Sequence, residues 1–390
     1  MDSFFKTHQY LVKHVCSPVR RGLMDEIDWN DRLIGIKGTR GVGKTTFLLS
    51  YAKEFFGEDR SCLYINLNNF YFTDHTLIEF AERFMKQGGK VLLIDQIFKH
   101  PNWSRELRYI YDNYTDIKVV FTGSSVMRLK EENPDLSGIV ASYFLRGFSF
   151  REYLNLKTGS TLPAYTFDEI LSNHVKIAKA VTDTVTPELH FQSYLHHGFY
   201  PFFLEKRNYS ENLLKTVNMM IEVDILFIKQ IELKYLHKIK LLLNLLAKNA
   251  PGSPNVSQLS NDIMTSRATV MNYIKYLKDA RVINLIYRQG EEFPKKPTKV
   301  YLHNTNLIYA IKSGESDNLA LRETFFINAV YKGHTINQGE KNSTFLIDEK
   351  WNLRIEQECN NSKTDSDRFY VSDDSSEIKS IPIWLFGFLY

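Results

Sequence analysis

Apolar residues in the first third of the chain fall in short continuous runs rather than alternating patterns. The runs are LIGIK (33–37), CLYINL (62–67), VLLID (91–95) and IKVVFTGS (117–124), with helical segments such as HTLIEFAERFMKQ between them. Short buried runs that alternate with helices are typical of parallel strands covered by helices on both faces. This part of the chain, residues 1–158, is therefore predicted to be an α/β domain with a parallel sheet.

The pattern becomes helical after residue 158. Apolar residues recur at helical spacing through 167–250, and two breaks follow, NAPGSPN at 249–255 and GEEFPKKPTK at 290–299. Clusters of Pro and Gly interrupt helices and strands. The predicted division of the rest of the chain is a helical lid or spacer (159–233), a compact unit (234–300) and a small α+β domain (301–390).

The unit at 234–300 has the pattern of three helices followed by two strands. Ser257 and Ser266 are predicted to cap its second and third helices, and the third helix should bury Val270, Ile274 and Leu277. Two strand-like runs, VINLIYR and KVYLHN, then bracket a basic turn. Three helices and a two-stranded wing predict a winged helix-turn-helix.

The third helix and the basic turn of this unit supply candidate DNA contacts. Recognition helices place side chains in the major groove, while nearby basic residues meet phosphates. The candidates are Arg267, Thr269, Asn272, Tyr273 and Lys275 on the helix and Lys295, Lys296 and Lys299 on the wing. The alternative is a packing or oligomerisation module, and only a weak positive charge favours DNA.

Composition and charge are those of an ordinary globular protein. With 43% hydrophobic and 24% charged residues and a formal charge of +4, wholesale binding to nucleic acid is not indicated. The 3 cysteines lack metal or disulfide spacing. No run approaches the roughly 18 apolar residues of a membrane span, and no signal peptide is evident, so we expect a cytoplasmic protein. The ending IPIWLFGFLY is predicted to be a buried final strand.

The first apolar run leads into GTRGVGKT at 38–45, which matches GxxxxGKS/T at every fixed position. Glycines let backbone N–H groups face a phosphate at the N-terminus of the following helix. Lys44 is expected to reach the β- and γ-phosphates, and the Thr45 hydroxyl to ligate Mg²⁺. The residues predicted to bind ATP are Gly38, Thr39, Arg40, Gly41, Val42, Gly43, Lys44, Thr45 and Thr46.

Two further strand ends are expected beside this loop. Asp95, which ends VLLID, is predicted to hold Mg²⁺ together with Thr45. VVFTGSS ends the next strand with Thr122, Ser124 and Ser125, where many ATPases place a polar residue that senses the γ-phosphate. Ser124 is the preferred sensor and Ser125 the second choice. The alternative is that these hydroxyls only cap a turn.

Longer motifs carry a resemblance to a known family. They are GTRGVGKTT, LLIDQIFKHPNW, VVFTGSS, NPDLSGIV with LRGFSFREYL, HHGFYPFFLE and IPIWLFGFLY, and they span nearly the whole chain. HPNW and FSFREYL are the most specific of them. The chain resembles bacterial and archaeal AAA-type P-loop ATPases that carry a winged helix and a C-terminal domain related to restriction endonucleases. The resemblance implies ATP and Mg²⁺ as cofactors.

Two departures from that family concern hydrolysis. Similar proteins usually have Glu where this chain has Gln96, and arginines where it has Gly138 and Ile139. Glutamine can orient water but cannot accept a proton as a carboxylate does. A missing base costs on the order of 10²- to 10⁴-fold in rate, and a missing arginine finger about 10³- to 10⁵-fold. The candidate replacements for the arginines are Arg128, Arg146 and Arg151.

The implied nuclease-like domain has an incomplete set of acids. Such a site needs an aspartate, and then an acid and a lysine one residue apart on the next strand. RIEQECNN lacks the lysine, and Asp348 with Lys350 has the spacing only within a turn. The available acids are Glu323, Asp348, Glu356 and Glu358. A structural relic is therefore predicted rather than an active nuclease.

Three functional hypotheses follow from these motifs. The first is an AAA-type ATPase with slow or conditional hydrolysis, in which Lys44, Asp95, Gln96 and Ser124 act on ATP. The second is a nucleotide-gated switch that binds DNA or protein without significant turnover. The third is a DNA-associated nuclease effector, which depends on the incomplete acids. The expected partners are ATP and, beyond it, DNA, a protein or a second copy of the chain, with no membrane.

Overall fold

A computed structural model divides the chain into two compact units, Met1–Gly147 and Phe148–Tyr390. It describes residues 1–127, 129, 133–205, 208–226, 228–312, 317–331, 333–340, 342–356, 368–373 and 380–390. The boundary between the units lies shortly before the predicted domain end at residue 158. The finer division of the second unit into three domains stays a prediction.

In the first unit, helices alternate with the first four strands. Its helices are α1 Asp2–His14, α2 Leu23–Glu26, α3 Lys44–Phe55, α4 Leu77–Lys86 and α5 Trp103–Asn113. Its strands are β1 Leu33–Gly38, β2 Cys62–Asn66, β3 Val91–Asp95, β4 Lys118–Ser124 and β5 Ala141–Phe144. Short 3₁₀ turns lie at Phe70–Thr73, Ile97–Lys99 and Pro134–Leu136.

The five strands form one parallel sheet in the order β2-β3-β4-β1-β5. The four predicted runs are β1 to β4, and their residues are buried almost throughout. The predicted α/β domain with a parallel sheet is confirmed. The sequence pattern misses β5 because this edge strand is only partly buried and has no continuous apolar run.

Helix α1 lies against the outer strand β2 and supplies it with a buried hydrogen-bond acceptor. His8 is 2% exposed, and its Nδ1 accepts a hydrogen bond from the Tyr64 backbone N–H at 2.9 Å. Burial lowers the pKa of His8 from its ordinary value. The imidazole is therefore neutral at pH 7 and tied to the edge of the sheet.

The second unit is helical at first and mixed later. Its helices are α6 Phe150–Thr158, α7 Phe167–Thr182, α8 Pro187–His197, α9 Tyr209–Met219, α10 Leu236–Asn249, α11 Val256–Asp262, α12 Arg267–Asp279, α13 Thr305–Ile311 and α14 Asn318–Val330. Its strands are β6 Ile283–Ile286, β7 Lys299–Leu302, β8 Ile336–Gln338, β9 Phe345–Ile347, β10 Trp351–Ile355, β11 Arg368–Ser372 and β12 Ser380–Pro382. A π-helical turn covers Met220–Ile225, and 3₁₀ turns cover Pro201–Glu205, Leu233–Tyr235 and Ile383–Phe388. Among the described residues, no helix of either unit combines the length and the apolar character needed to cross a membrane.

Helices α10 to α12 precede the antiparallel pair β6 and β7, which is the element order predicted for 234–300. Ser266 caps α12 by accepting from the Thr269 N–H at 3.1 Å, and Val270, Ile274 and Leu277 are fully buried, as predicted. The predicted cap at Ser257 is wrong. Asn255 caps α11 instead, because its side chain accepts from the Gln258 N–H. The winged-helix assignment itself stays a prediction.

A second five-stranded sheet closes the chain, in the order β12-β11-β10-β9-β8. Strands β8, β9 and β10 are antiparallel neighbours, whereas β10, β11 and β12 pair in parallel. The apolar ending is buried as predicted, but it is mostly not a strand. Only the first two residues of IPIWLFGFLY lie in β12, and Ile383–Phe388 form a buried 3₁₀ helix.

We predict that His8 makes the free energy of unfolding decrease as the pH falls. Because its pKa is lowered in the folded protein, its contribution is complete above the unfolded value of about 6.5 and is lost as the pH falls below it. The loss is at most about 1.4 kcal/mol per pH unit. In urea unfolding between pH 7 and pH 5, His8→Gln should show a shallower loss than the wild type. His237→Gln, which changes an exposed histidine, should keep the wild-type slope; equal slopes for all three proteins would contradict the prediction.

Candidate nucleotide site

Three strand ends that carry predicted site residues meet at one edge of the parallel sheet. β1 ends at Gly38, β3 at Asp95 and β4 at Ser124, and Gly38 lies opposite Ser124 in the register. Strand β4 lies between β1 and β3. Because parallel strands share their carboxyl edge, the loop at 38–46 and Asp95 are neighbours.

The glycines of the loop each have a structural reason. Gly41 and Gly43 have φ of 84° and 94°, a region that residues with a Cβ rarely adopt. At Gly38 an added Cβ would lie 2.5 Å from the carbonyl oxygen of Leu145. The backbone of the Leu145 segment is itself held by a hydrogen bond from the Leu145 N–H to the Lys37 carbonyl at 2.8 Å. The loop therefore turns tightly against the segment that follows β5.

A buried arginine stabilises this loop, and no sequence pattern predicts that role. Arg21 is 8% exposed, and its guanidinium donates to the Val42 carbonyl at 3.2 Å, the Arg146 carbonyl at 2.7 Å and the Gly147 carbonyl at 3.0 Å. Val42 is fully buried and Thr39 is 2% exposed, so the middle of the loop is anchored. Arg21 joins the loop to the chain after β5.

The ammonium of Lys44 lies at the mouth of the loop. Its Nζ donates to the carbonyls of Gly38 and Thr39, both at 2.8 Å. Helix α3 begins at Lys44, so the positive end of its helix dipole lies at the end of the loop. Arg40 and Thr46 are partly exposed at the two sides of the turn.

Asp95 is the most connected side chain of the site, although it is only 1% exposed. Its Oδ2 accepts from Thr45 Oγ1 at 2.7 Å, Tyr64 Oη at 2.9 Å and Asn66 Nδ2 at 3.2 Å, and its Oδ1 accepts from Thr122 Oγ1. Burial and then the Asp95 charge raise the pKa of Tyr64, which keeps the phenol a donor. The predicted pair of Thr45 and Asp95 is in direct contact.

Gln96 follows in a left-handed backbone conformation, with φ of 60°. Its backbone N–H donates to Thr122 Oγ1 at 2.9 Å, and the same hydroxyl donates to Asp95. Residues other than Gly, Asn and Asp rarely adopt this conformation, and it costs on the order of 1 kcal/mol. The Thr122 hydroxyl therefore holds both Asp95 and the backbone of Gln96 in place.

The hydroxyls after β4 differ in their surroundings. Ser124 is 3% exposed, and its Oγ accepts a long hydrogen bond of 3.4 Å from the Val126 N–H, which is the contact of a turn cap. Ser125 Oγ is buried and has no hydrogen-bond partner among the described residues. Thr122 is the residue of this strand that contacts Asp95. The sensor role of Ser124 stays a prediction.

Gly138 and Ile139, which stand where similar proteins usually have arginines, belong to the first unit. Gly138 is exposed with φ of 77°, and Ile139 is partly exposed beside it. Of the proposed replacements, Arg151 belongs to the second unit, where it donates to the carbonyls of Tyr390 and Leu162 at 3.0 and 3.2 Å. Arg146 offers its carbonyl to Arg21. Arg128 lies outside the described residues.

Some of the candidate DNA contacts on α12 are exposed, and others already contact neighbouring side chains. Arg267 and Asn272 are exposed. Thr269 Oγ1 lies 2.9 Å from the capping Ser266 Oγ, and Lys275 Nζ lies 4.7 Å from the ring centre of Phe293. Tyr273 cannot be a DNA contact as proposed, because it is 4% exposed within the core.

The lysines of the basic turn differ in the same way. Lys295 Nζ lies 3.3 Å from Glu291, and Lys299 Nζ lies 3.5 Å from Glu323. Lys296 is exposed. The positive charge of the turn is therefore partly compensated by neighbouring acids.

The C-terminal acids that the structure describes lie on three different elements. Asp348 is in the turn between β9 and β10, where it accepts from His334 Nδ1 and the Thr335 N–H. Glu356 follows the other end of β10, and at about 3.3 Å per residue this 5-residue strand separates the two acids by roughly 16 Å. Glu323 is buried on α14 and accepts from Tyr301 Oη. Glu358 lies outside the described residues.

Two family profiles match separate parts of the sequence. A domain of unknown function (DUF8612) matches 188–319, and a profile described as an AAA domain matches 30–154. Residues 30–154 are an AAA domain. The AAA domain contains the loop, Asp95, Gln96 and Ser124, and its parallel sheet is that of a P-loop NTPase. No curated protein matches the chain.

Solved structures resemble the chain only distantly. Orc1 of Aeropyrum pernix in complex with DNA is 12% identical, covers 82% of this chain and 91% of its own, and has a TM-score of 0.31. RuvB of Thermotoga maritima is 14% identical over 74% and 90%, with a TM-score of 0.27. AMPPCP-bound DnaA of Aquifex aeolicus is 15% identical over 70% and 86%, with a TM-score of 0.26. Likeness this low says nothing of what this chain binds.

We predict that Arg21 stabilises the AAA domain far more than its neighbour Arg20. Arg21→Met would remove three hydrogen bonds to main-chain carbonyls, which should lower the free energy of unfolding by about 2–4 kcal/mol. Arg20 is half-exposed and pairs with Asp25 and Glu54, so Arg20→Met should cost less than about 1 kcal/mol. Urea unfolding measures both. Equal losses would show that the carbonyl contacts of Arg21 contribute little.

Proposed function

We propose that the protein binds ATP with Mg²⁺ at residues 38–46 and Asp95 and hydrolyses it slowly or conditionally. One observation carries this proposal: Thr45 Oγ1 lies 2.7 Å from the buried Asp95 carboxylate, directly after a loop whose glycines have the required backbone angles. A site that binds a nucleotide with Mg²⁺ needs three parts, which are a hydroxyl, a carboxylate and a phosphate-binding loop.

The oxygen ligands at this place fit Mg²⁺. This ion binds through one or two carboxylates together with waters and substrate phosphates, so Thr45 and Asp95 would hold it. Among the described residues no group of three or more metal-ligating side chains occurs, and a nucleotide-bound Mg²⁺ requires none. When bound, the ion neutralises charge on the β- and γ-phosphates.

The remaining residues of the loop would bind and orient the phosphates. Lys44 would exchange the carbonyls of Gly38 and Thr39 for phosphate oxygens, since its ammonium is already at the mouth of the loop. The N-terminus of α3 adds the positive end of a helix dipole.

Slow turnover is supported by the residues at the positions where a base and arginines are expected. Gln96 can donate to or accept from a water but cannot remove its proton. The positions Gly138 and Ile139 provide no positive charge, and Arg151 is engaged with carbonyls of the second unit. These features favour slow ATP hydrolysis over fast hydrolysis. If the hydrolysis rate were negligible, the protein would be a nucleotide-gated switch.

We predict that Gln96→Glu raises the single-turnover rate of ATP hydrolysis by about 10²-fold or more, because it restores a base beside Asp95. Quenched-flow or manual single-turnover assays on the full chain measure this rate. Gln87→Glu, the same change at an exposed position after α4, should leave the rate unaltered.

Lys44→Ala should abolish ATP binding measured by calorimetry. If the wild type already hydrolyses ATP at an ordinary rate that depends on Lys44, slow turnover is wrong. If Gln96→Glu stays as slow as the wild type while both bind ATP, the missing base is not the limiting defect, and a switch without turnover is favoured.

We further propose that α12 and the basic turn contact DNA. The observation behind this proposal is that Arg267 and Asn272 are exposed on the first half of α12, where recognition helices carry their base contacts, and that Lys296 is exposed on the turn after it. Thr269 and Lys275 contribute less, because each already contacts a neighbouring side chain.

DNA binding by this surface should be strongly salt-dependent. We expect Arg267→Ala and Lys296→Ala each to weaken binding of duplex DNA to the full chain and to reduce the slope of log K against log salt by about 0.9 for each lost phosphate contact. Fluorescence anisotropy across a salt series measures both quantities. Lys179→Ala removes the same charge from an exposed position on α7 and should change neither; a uniform effect of all three variants would argue against a local DNA surface.

A further inference from the structure

One oxygen of the Asp95 carboxylate, Oδ2, is already filled by hydrogen bonds from the protein. A carboxylate offers about four lone-pair positions, roughly two on each oxygen. Asp95 accepts from the side chains of Thr45, Tyr64, Asn66 and Thr122, and three of these four donors share Oδ2. That oxygen therefore has more donors than it accommodates well.

Two of the donors come from β2, outside the loop and the strands that carry the motifs. Asn66 lies opposite Asp95 in the register of β2 and β3, and Tyr64 lies two residues earlier on the same face. Both donate to the oxygen that also accepts from Thr45. Because Thr45 contacts Oδ2, a metal-bound water that donates to this oxygen next to the Thr45 hydroxyl would compete with Tyr64 and Asn66.

Asn66 is the donor that can give way most easily. Its Nδ2 lies 3.2 Å from Asp95 Oδ2, the longest of the three contacts on that oxygen, and it is only partly buried. The amide has two other partners, because Asn66 Oδ1 accepts from the Asn68 backbone N–H at 2.8 Å and Nδ2 lies 3.4 Å from Tyr64 Oη. Moving Nδ2 away from Asp95 gives up the two long contacts of Nδ2, and full rotation of the side chain also breaks the hydrogen bond from Asn68.

We propose that the Asn66 amide competes with a magnesium-bound water for Oδ2 of Asp95, and so sets how much Mg²⁺ the protein needs to bind ATP tightly. This inference rests on the proposed ATP site. In the free protein Asn66 satisfies the buried carboxylate, and on metal binding one hydrogen bond replaces another. The metal therefore adds less to ATP affinity than it would beside an unoccupied carboxylate.

The test measures ATP affinity of the full chain by calorimetry, in excess EDTA and across a Mg²⁺ series, with no reference to hydrolysis. Asn66→Ala frees one acceptor position, and at about 1 kcal/mol for a hydrogen bond we expect the Mg²⁺ concentration for half-maximal enhancement of ATP binding to fall about 3- to 10-fold. Affinity in EDTA should stay as in the wild type.

Two further variants separate this competition from a general effect on the loop. Tyr64→Phe removes a different donor from the same oxygen while keeping the ring packed, so it should lower the Mg²⁺ requirement in the same direction, and it serves if Asn66→Ala fails to fold. Asn68→Ala makes the same chemical change as Asn66→Ala at an exposed side chain two residues later, and it should match the wild type.

The outcomes distinguish the inference from the proposed function. An unchanged or increased Mg²⁺ requirement in Asn66→Ala and Tyr64→Phe overturns the inference and leaves ATP binding intact, and an increase would identify both residues as supports of the metal site. ATP binding by the wild type without any effect of Mg²⁺ also overturns it. If the wild type does not bind ATP at all, the proposed function fails first and the inference fails with it.

Discussion

The buried charge of Asp95 is the constraint on which the AAA domain is arranged. A carboxylate with 1% exposure must be compensated by hydrogen bonds or a cation, because burial without partners costs several kcal/mol. Its donors come from the start of α3, the end of β2 and the end of β4. Residues from the helix after the phosphate loop and from two neighbouring strands therefore all contact the Asp95 side chain.

Much of this domain could be predicted because its signals are local. The apolar runs of β1 to β4 are continuous, since central strands of a covered parallel sheet are buried on both faces. The loop motif needs glycines at fixed offsets, and Gly41 and Gly43 do have the left-handed angles that explain them. The cap at Ser266 was predictable for the same reason, since its acceptor and donor lie three residues apart.

The parts that the sequence did not predict depend on contacts between distant segments. Arg21 braces a loop and a segment more than a hundred residues later, and nothing in its neighbourhood marks it as buried. Tyr64, Asn66 and Thr122 acquire their role only when β2, β3 and β4 are placed side by side. Asn255 and not Ser257 is the cap because the helix already begins at Val256. Tyr273 lies three residues after Val270 and four before Leu277, so helical spacing alone already places it on the buried face, and its selection as a DNA contact overlooked that pattern.

The contact between α1 and β2 has a consequence for how molecules of this protein meet. β2 is the outer strand of its sheet, and an outer strand with unpaired backbone groups is a template for the addition of a strand from another molecule. His8 already accepts a hydrogen bond from the Tyr64 N–H that an added strand would use. Helix α1 also packs against β2, where the added strand would have to pair. The first helix thereby protects the edge of the sheet against intermolecular strand addition and the aggregation that follows from it.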